Sequence, residues 1–369
     1  MTNIPSPYRV DFFNALGKLC DLTVLFETRS AKSRDIKWKA DVSYDFKAVF
    51  LKGKRIGEAE AICPSVIRYL SLKKYDVIIV GMYSSITGML AIEYMRVHKI
   101  PFILSTDGGI IQDDRSIKQK IKTHFVSSAF AWLATGKSAQ DYLCYYGAKR
   151  DLTYIYPFTS VKKEEMLKES LSVSEKQFYR KKLDMKEEKI LLSVGQFIYR
   201  KGYDVLIKAL ENIEPNIGVY IVGGKPPAEY ITLLKSLRVK NIHFIDFQTK
   251  ENLKEYYKAS DLFVLPTRED IWGLVINEAM SYGLPVITTN KCGAGLQMIK
   301  DGINGKIVPV DDAEKLRDAI KEGFKLSSDE ALQTAKEYSI ENMAIIHLKY
   351  IKKFYRDNKK STLTCRKVK

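Results

Sequence analysis

Short apolar, largely β-branched runs closed by turn-forming residues recur along the chain. They lie at Leu22 to Phe26, Val77 to Val80, Phe102 to Ser105, Ile190 to Val194, Val219 to Val222, Leu262 to Leu265 and Val286 to Thr289. Between them, apolar residues fall three and four apart, the period of a helix that buries one face. Strand and helix therefore alternate, which predicts parallel sheets with helices on both sides and an α/β chain of two doubly wound domains. The break between the domains is expected near Tyr156-Pro-Phe-Thr-Ser160. A proline there is followed by Lys162 to Lys189, a highly charged stretch read as helical.

The chain has 369 residues, a length suited to two domains. Apolar residues make up 46% and charged residues 28%, so disordered, collagen-like and coiled-coil architectures are excluded. Net charge is +16. It is unevenly placed: residues 1–160 hold 23 basic and 15 acidic side chains, residues 161–344 hold 28 of each, and residues 345–369 hold 9 and 1. The excess sits on the first domain and the tail, which points to one anionic partner for each domain rather than to nucleotide phosphates alone. A nucleic-acid-binding protein would also be basic. That reading explains neither the neutral second domain nor the motifs below, and the tail lacks a groove-reading motif.

The five cysteines, at 20, 63, 144, 292 and 365, show no C-x-x-C spacing, so a reducing compartment fits better than a disulfide framework or a zinc site. The longest uncharged apolar stretch, Val77 to Ile92, is interrupted by glycines and serines and is shorter than the roughly 20 residues a spanning helix needs. No secretory signal is visible at the start, and the expected location is cytoplasmic.

Residues 261–285 read DLFVLPTREDIWGLVINEAMSYGLP. This predicts a buried strand ending at Pro266, a polar loop, and a helix from about Trp272 to Tyr282 closed by Gly283. The amides of Trp272, Gly273 and Leu274 would lie at the helix N-terminus, where anions bind, and Gly273 would let a ligand approach the backbone. Asp270 and Glu278 place one acid in the loop and one about two turns into the helix. On the residues alone, Asp270 as a helix cap and Glu278 as a solvated helical acid remain open. A second block, SVGQFIYRKGYDVLIKAL at 193–210, gives a strand, a loop with Arg200 and Lys201, and a helix.

Together the two blocks resemble the family-four retaining nucleotide-sugar glycosyltransferases of GT-B fold, of the bacterial surface-polysaccharide type. Asp270 and Glu278, followed by G-L-P-V-I, match that family's E-x7-E signature, with Asp in place of the first Glu and Glu269 beside it as a substitute. The resemblance implies that Glu278 binds the ribose of a nucleotide-diphosphate sugar. Asp270 or Glu269, with the amides of Trp272, Gly273 and Leu274, would hold the transferred sugar. Gly195, Arg200 and Lys201 would take the diphosphate. Gln196 stands where the family carries an arginine. Phe247, in the Asn241 to Phe247 segment, would face the nucleobase. Gly223-Gly224 lacks Walker spacing and reads as a strand-end turn.

The same resemblance implies two Rossmann-like domains facing a cleft, with a C-terminal helix crossing back. Residues 1–160 with about 345–369 would then form the acceptor domain, and residues 161–344 the donor domain. The acceptor side would include Pro7, Tyr8 and Arg9, in a loop after a first strand of which the chain start shows only the end, and Ser84, Asp107 and Gly108. Lys201, Asp270 and Asp107 are the catalytic candidates. No D-x-D triplet occurs, so the usual ligand set of metal-dependent GT-A enzymes is missing, and protein cations would replace the metal. No cofactor is expected beyond the donor. The expected acceptor is a lipid-linked or growing glycan at an anionic membrane surface. Contact would come from Arg115, Lys118 and Lys122, from Ile117, Ile121, Phe125 and Trp132, and from tail cations at 349, 352, 353, 356, 359 and 360. A GT-B epimerase or hydrolase is the alternative reaction.

Overall fold

The computed structural model describes residues 1–30, 43–111, 116–211, 213–214 and 216–366, with side chains to residue 359. The chain divides into two units, Met1–Lys162 with Ser339–Lys369, and Lys163–Tyr338. Against the expected 344/345, the return to the first unit comes earlier, at Ser339. This residue's Oγ accepts the Asn342 amide at 3.1 Å and so fixes the start of the last helix, Ile340–Arg366.

In the first unit, β1 (Thr23–Phe26) pairs in parallel with β2 (Lys47–Phe50), and β3 (Lys54–Arg55) pairs antiparallel with β4 (Ala61–Ile62). A parallel sheet runs β5 (Ile79–Val80), β6 (Ile103–Thr106), β7 (Ala131–Ala134) and β8 (Thr153–Ile155). Residues 1–3 lie between the first pair and this sheet. The Thr2 amide donates to Leu25 O at 2.9 Å and the Gly81 amide donates to Met1 O at 3.0 Å. The last helix belongs to this unit. His347 packs against Phe12 and Tyr156 at ring separations of 4.6 and 4.2 Å, and Tyr154 stacks on Tyr350 at 4.7 Å.

Two expectations are corrected here. The charged stretch 162–189 is not one helix. It holds a short turn at Lys163–Glu165 and a helix at Val173–Lys182, opened by a capping box in which Ser172 and Glu175 satisfy each other's amides. Trp132 is not on the face of the helix that carries Ile117 and Ile121. That helix ends at Ser127, and Trp132 lies in β7, 2% exposed, with its indole N–H donating to Val126 O at 2.8 Å.

The second unit is one six-stranded, all-parallel sheet: β9 (Lys189–Val194), β10 (Ile217–Val222), β11 (Ile242–Ile245), β12 (Leu262–Leu265), β13 (Val286–Thr289) and β14 (Gly305–Val308). The spatial order is β11-β10-β9-β12-β13-β14. Strands β10, β12 and β13 are buried throughout, the result expected for parallel strands covered on both faces; β10 and β12 carry no polar side chain except the Tyr220 hydroxyl, and in β13 the buried Thr288 and Thr289 hydroxyls donate to Leu265 O and Thr267 O. The order reverses direction between β9 and β12. In doubly wound sheets that reversal opens a crevice at the carboxyl ends of the two strands, where ligands bind.

Candidate active site

Both sequence blocks leave the sheet at this reversal: the Gly195 to Gly202 loop follows β9, and the Pro266 to Gly273 loop follows β12. Gly202 makes the junction between them. Its φ is +68°, and a Cβ there would stand 2.1 Å from Pro266 O, so only glycine allows the two loops this approach. Residue 202 also caps the helix Tyr203–Ala209, whose buried face feeds the core around Leu191, Ile221 and Val264.

The approach brings the cations to the acid. Lys201 Nζ lies 2.6 Å from Asp270 Oδ2, with side chains 12% and 15% exposed. Arg200 Nη1 is 3.5 Å from the same oxygen and donates to Glu269 O at 2.8 Å. Asp270 is itself pinned through its main chain: its amide donates to Lys291 O at 2.9 Å, and its carbonyl accepts the Gly293 amide at 3.0 Å. Glu269 is half-buried, and its carbonyl accepts Arg200 Nη1 and Thr267 Oγ1 at 2.8 and 2.9 Å.

The helix after the loop runs Leu274–Ser281, two residues later than expected at its start. Its N-cap is Gly273 at φ +95°, with no side-chain capping bond, so Asp270 does not cap the helix and its carboxylate belongs to the loop. The amides that open such a helix carry the positive end of the helix dipole; in its first turn the Ile276 amide already donates to Gly273 O at 2.9 Å. Ile276, Ala279 and Met280 bury the helix in the core. Trp272 serves structure through its side chain: it is 4% exposed and its indole N–H donates to Asn277 Oδ1 at 2.8 Å. Its main-chain carbonyl accepts the Ala294 amide at 2.7 Å and Cys292 Sγ at 3.2 Å.

Glu278 lies in the same helix. Tyr257 Oη donates to Glu278 Oε2 at 3.1 Å, and the Tyr257 ring stacks on Tyr282 at 5.3 Å. Burial and the neighbouring Glu278 carboxylate hold the Tyr257 hydroxyl well above its usual range, so it stays a proton donor to Glu278. At the β9 end, Tyr203 Oη donates to Gly195 O at 3.1 Å and fixes the strand end. Gln196 and Phe247 are exposed, with Phe247 65% accessible at the end of β11.

Sequence reasoning passed over Arg268, Tyr257 and Tyr203. Arg268 stands inside the P-T-R-E-D run, so a signal existed. Tyr203 bonds Gly195 within the 193–210 block, eight residues away, whereas Tyr257 reaches Glu278 across 21 residues and left no local signal.

In the first unit, Pro7 opens the helix Pro7–Gly17, and Arg9 Nη2 lies 3.1 Å from Asp107 Oδ2. Arg9 Nε donates to Tyr8 Oη at 3.2 Å. Asp107 and Gly108 follow β6, and a Cβ on Gly108 would stand 2.9 Å from Ala139 Cβ. Ser84 is exposed and is not part of this cluster. The buried neighbour Ser85 instead donates to Glu27 Oε1 at 2.7 Å, anchoring the loop that carries Ser84. A cavity of about 340 Å³ in this unit is lined by Tyr8, Arg9, Phe12, Ser105, Tyr156 and His347 among others.

Residues 175–341 match the family of glycosyl transferases group 1. A 41.2 kDa protein in the cps region of Klebsiella pneumoniae is 23% identical over 72% of this chain and 74% of its own. The lipopolysaccharide glucosyltransferase WaaG of Escherichia coli is 32% identical over 44% of each chain, so the match spans less than half of WaaG's length. Among solved structures, Anabaena HepE in complex with UDP superposes with a TM-score of 0.75 at 15% identity, over 95% of this chain and 99% of that one. The glycosyl transferases group 1 match is carried by residues 175–341, and the fold of the chain is that of the GT-B glycosyltransferases, as in HepE.

Proposed function

We propose that this protein is a retaining glycosyltransferase that moves a sugar from a nucleotide-diphosphate sugar to a glycan acceptor, lipid-linked or growing, in surface-polysaccharide synthesis. The observation that carries the reading is the convergence of Lys201, Arg200, Asp270 and the N-terminus of the Leu274–Ser281 helix at the reversal of the second sheet. Transfer leaves a nucleoside diphosphate, so negative charge grows on the departing phosphates as the sugar becomes oxocarbenium-like. Fixed cations and helix amides stabilise charge where it develops, an effect of roughly 3 to 4 kcal/mol per well-placed donor. In this reading Lys201 and Arg200 take the diphosphate, Asp270 or Glu269 takes sugar hydroxyls, and Glu278, oriented by Tyr257, takes the ribose.

Retention by double displacement needs a carboxylate nucleophile at the anomeric carbon. The first unit's candidate, Asp107, is paired with Arg9. The route that the family resemblance implies is front-face transfer, in which the departing phosphate accepts the acceptor's proton, and in this reading Asp107 with Arg9 positions the acceptor. The names of WaaG and the cps-region protein, and the UDP bound to HepE, agree with a nucleotide donor and a surface-glycan product.

The location proposed is the inner face of the cytoplasmic membrane, held peripherally. Among the described residues no helix is long and apolar enough to cross a membrane. Ile110, Ile111, Ile117 and Ile121 are 51%, 42%, 76% and 43% exposed, beside the exposed Lys118 and Lys120. Lys349, Lys352, Lys353, Arg356 and Lys359 are exposed on the last helix. Phe125 packs against the core, Trp132 is buried, and Arg115 and the Lys360 side chain lie outside the described residues.

The test is incubation with a panel of UDP-, GDP-, ADP- and TDP-sugars with and without a lipid-linked glycan. The expected product is an extended glycan with the anomeric configuration of the donor kept. Donor isomerisation or hydrolysis with no extended glycan for any pair would replace the transferase reading with the epimerase or hydrolase one.

A further inference from the structure

Arg268 stands between the two loops of the proposed donor site. Its guanidinium donates to both oxygens of Asp204, at 2.9 and 2.7 Å, and from Nη1 to Tyr199 O at 2.7 Å. Its Nε lies 2.7 Å from Asp311 Oδ1, an ion-pair contact out of line for a hydrogen bond. The guanidinium also covers the Tyr199 ring at 4.0 Å. Its main-chain amide donates to Arg200 O at 2.8 Å, an oxygen that also accepts Thr267 Oγ1 at 2.9 Å.

The carbonyls of residues 199 and 200 are thus both held by residues 267 and 268, immediately before Lys201. The segment they hold is a single 3₁₀ turn, Tyr199–Lys201, closed by the Lys201 amide on Ile198 O and the Gly202 amide on Tyr199 O. So short a turn has little rigidity of its own. Arg268 is 13% exposed and faces two carboxylates, so its charge is already neutralised, and it is poorly placed to serve as a phosphate ligand.

We infer that Arg268 is a positioning residue: it clamps the Tyr199–Lys201 turn so that Arg200 and Lys201 present their cations to the β-phosphate side of the nucleotide. The inference rests on the donor-site reading above. It also makes the P-T-R-E-D run a coupling element, because the residue next to the sugar-binding acids sets the shape of the phosphate-binding turn. Lysine cannot replace this fork, since one ammonium lacks the planar geometry to meet Asp204 in two places and Tyr199 O at once.

Two measurements test it, with Arg268→Gln and Arg268→Lys. In hydrogen exchange of the unliganded protein, the amides of residues 199–202 should exchange about ten-fold faster or more in Arg268→Gln, while β9 and β12 keep their protection. In calorimetry with UDP, GDP and ADP and the matching monophosphates, the variant should lose about ten-fold or more in diphosphate affinity and less than about two-fold in monophosphate affinity, with Arg268→Lys in between. Unchanged exchange at 199–202, or an equal loss for mono- and diphosphates, overturns the assignment. Wild-type protein that binds none of the three diphosphates removes the donor-site reading instead, and the exchange measurement still decides whether Arg268 holds the turn.

Discussion

Lys201 and Asp270 neutralise each other across a gap of 2.6 Å, although one is read as a ligand of the diphosphate and the other of the sugar. In that proposal a bound donor separates them, drawing the ammonium to phosphate and freeing the carboxylate for hydroxyl groups. Lys201→Ala should lower turnover by roughly 100-fold or more, the cost of losing one charge-stabilising donor. It should also lower the unfolding temperature, because the mostly buried Asp270 then keeps only the longer contact to Arg200 at 3.5 Å, and Asp270→Asn in the same chain should restore part of that loss. Additive destabilisation in the double variant would show that the pair is not coupled.

Glu278→Gln keeps the side chain's shape and removes its charge. Charge-assisted hydrogen bonds contribute about 1.5 to 3 kcal/mol each, so nucleoside diphosphate affinity should fall by roughly ten-fold or more. Equal affinity by calorimetry excludes Glu278 from the site. Tyr257→Phe should give a smaller loss in the same direction, since it removes only the hydroxyl that orients Oε2.

Turnover should persist without added divalent metal, because Lys201, Arg200 and the helix amides supply the positive charge. Complete loss in EDTA, reversed by magnesium or manganese, contradicts this.

His347 gives a pH dependence that involves no donor. Burial depresses its pKa from 6.5 to about 4, while Nδ1 is bonded to Met343 O at 2.8 Å. The unfolded chain therefore binds a proton that the folded chain does not between these values. Its contribution is complete above pH 6.5 and falls as the pH drops toward 4, by about 3 kcal/mol in all. Denaturant unfolding from pH 7 to 4 should show this slope, and His347→Gln should flatten it. An unchanged slope in the variant assigns the acid sensitivity elsewhere.

Sedimentation with liposomes tests the membrane surface. Binding should rise with anionic lipid, fall with salt and weaken when Lys349, Lys352, Lys353 and Lys359 become glutamine, each basic residue contributing about 1 kcal/mol near an anionic leaflet. Protein that stays in the supernatant with anionic vesicles at low salt ends the membrane proposal and leaves the transferase proposal standing.

The strands at β9, β10, β12 and β13 were legible because parallel strands buried on both faces are predominantly apolar, with the buried hydroxyls of Ser193, Thr288 and Thr289 bonded to neighbouring carbonyls. Lys201, Asp270 and Glu278 were legible because they sit at fixed offsets within two local blocks. Other features depend on contacts that no local pattern encodes. Asp270 reads as a cap until the backbone shows Gly273 in that place at positive φ. Phe125 and Trp132 share a helical spacing, yet the chain leaves the helix between them. Tyr257 reaches Glu278 across 21 residues, and residues 1–3 are too few to show a strand period.

The return of the last helix to the first unit has a consequence for synthesis. Phe354 is 2% exposed and packs on Phe130 at 5.4 Å, and His347 fills the space between Phe12 and Tyr156. None of these contacts forms until residues 347–354 have left the ribosome, whereas residues 163–338 are complete earlier and hold a core of their own. Although chains generally fold from the N-terminus as they emerge, here the unit made first is finished last, because Phe12, Phe130 and Tyr156 wait for the last helix to cover them.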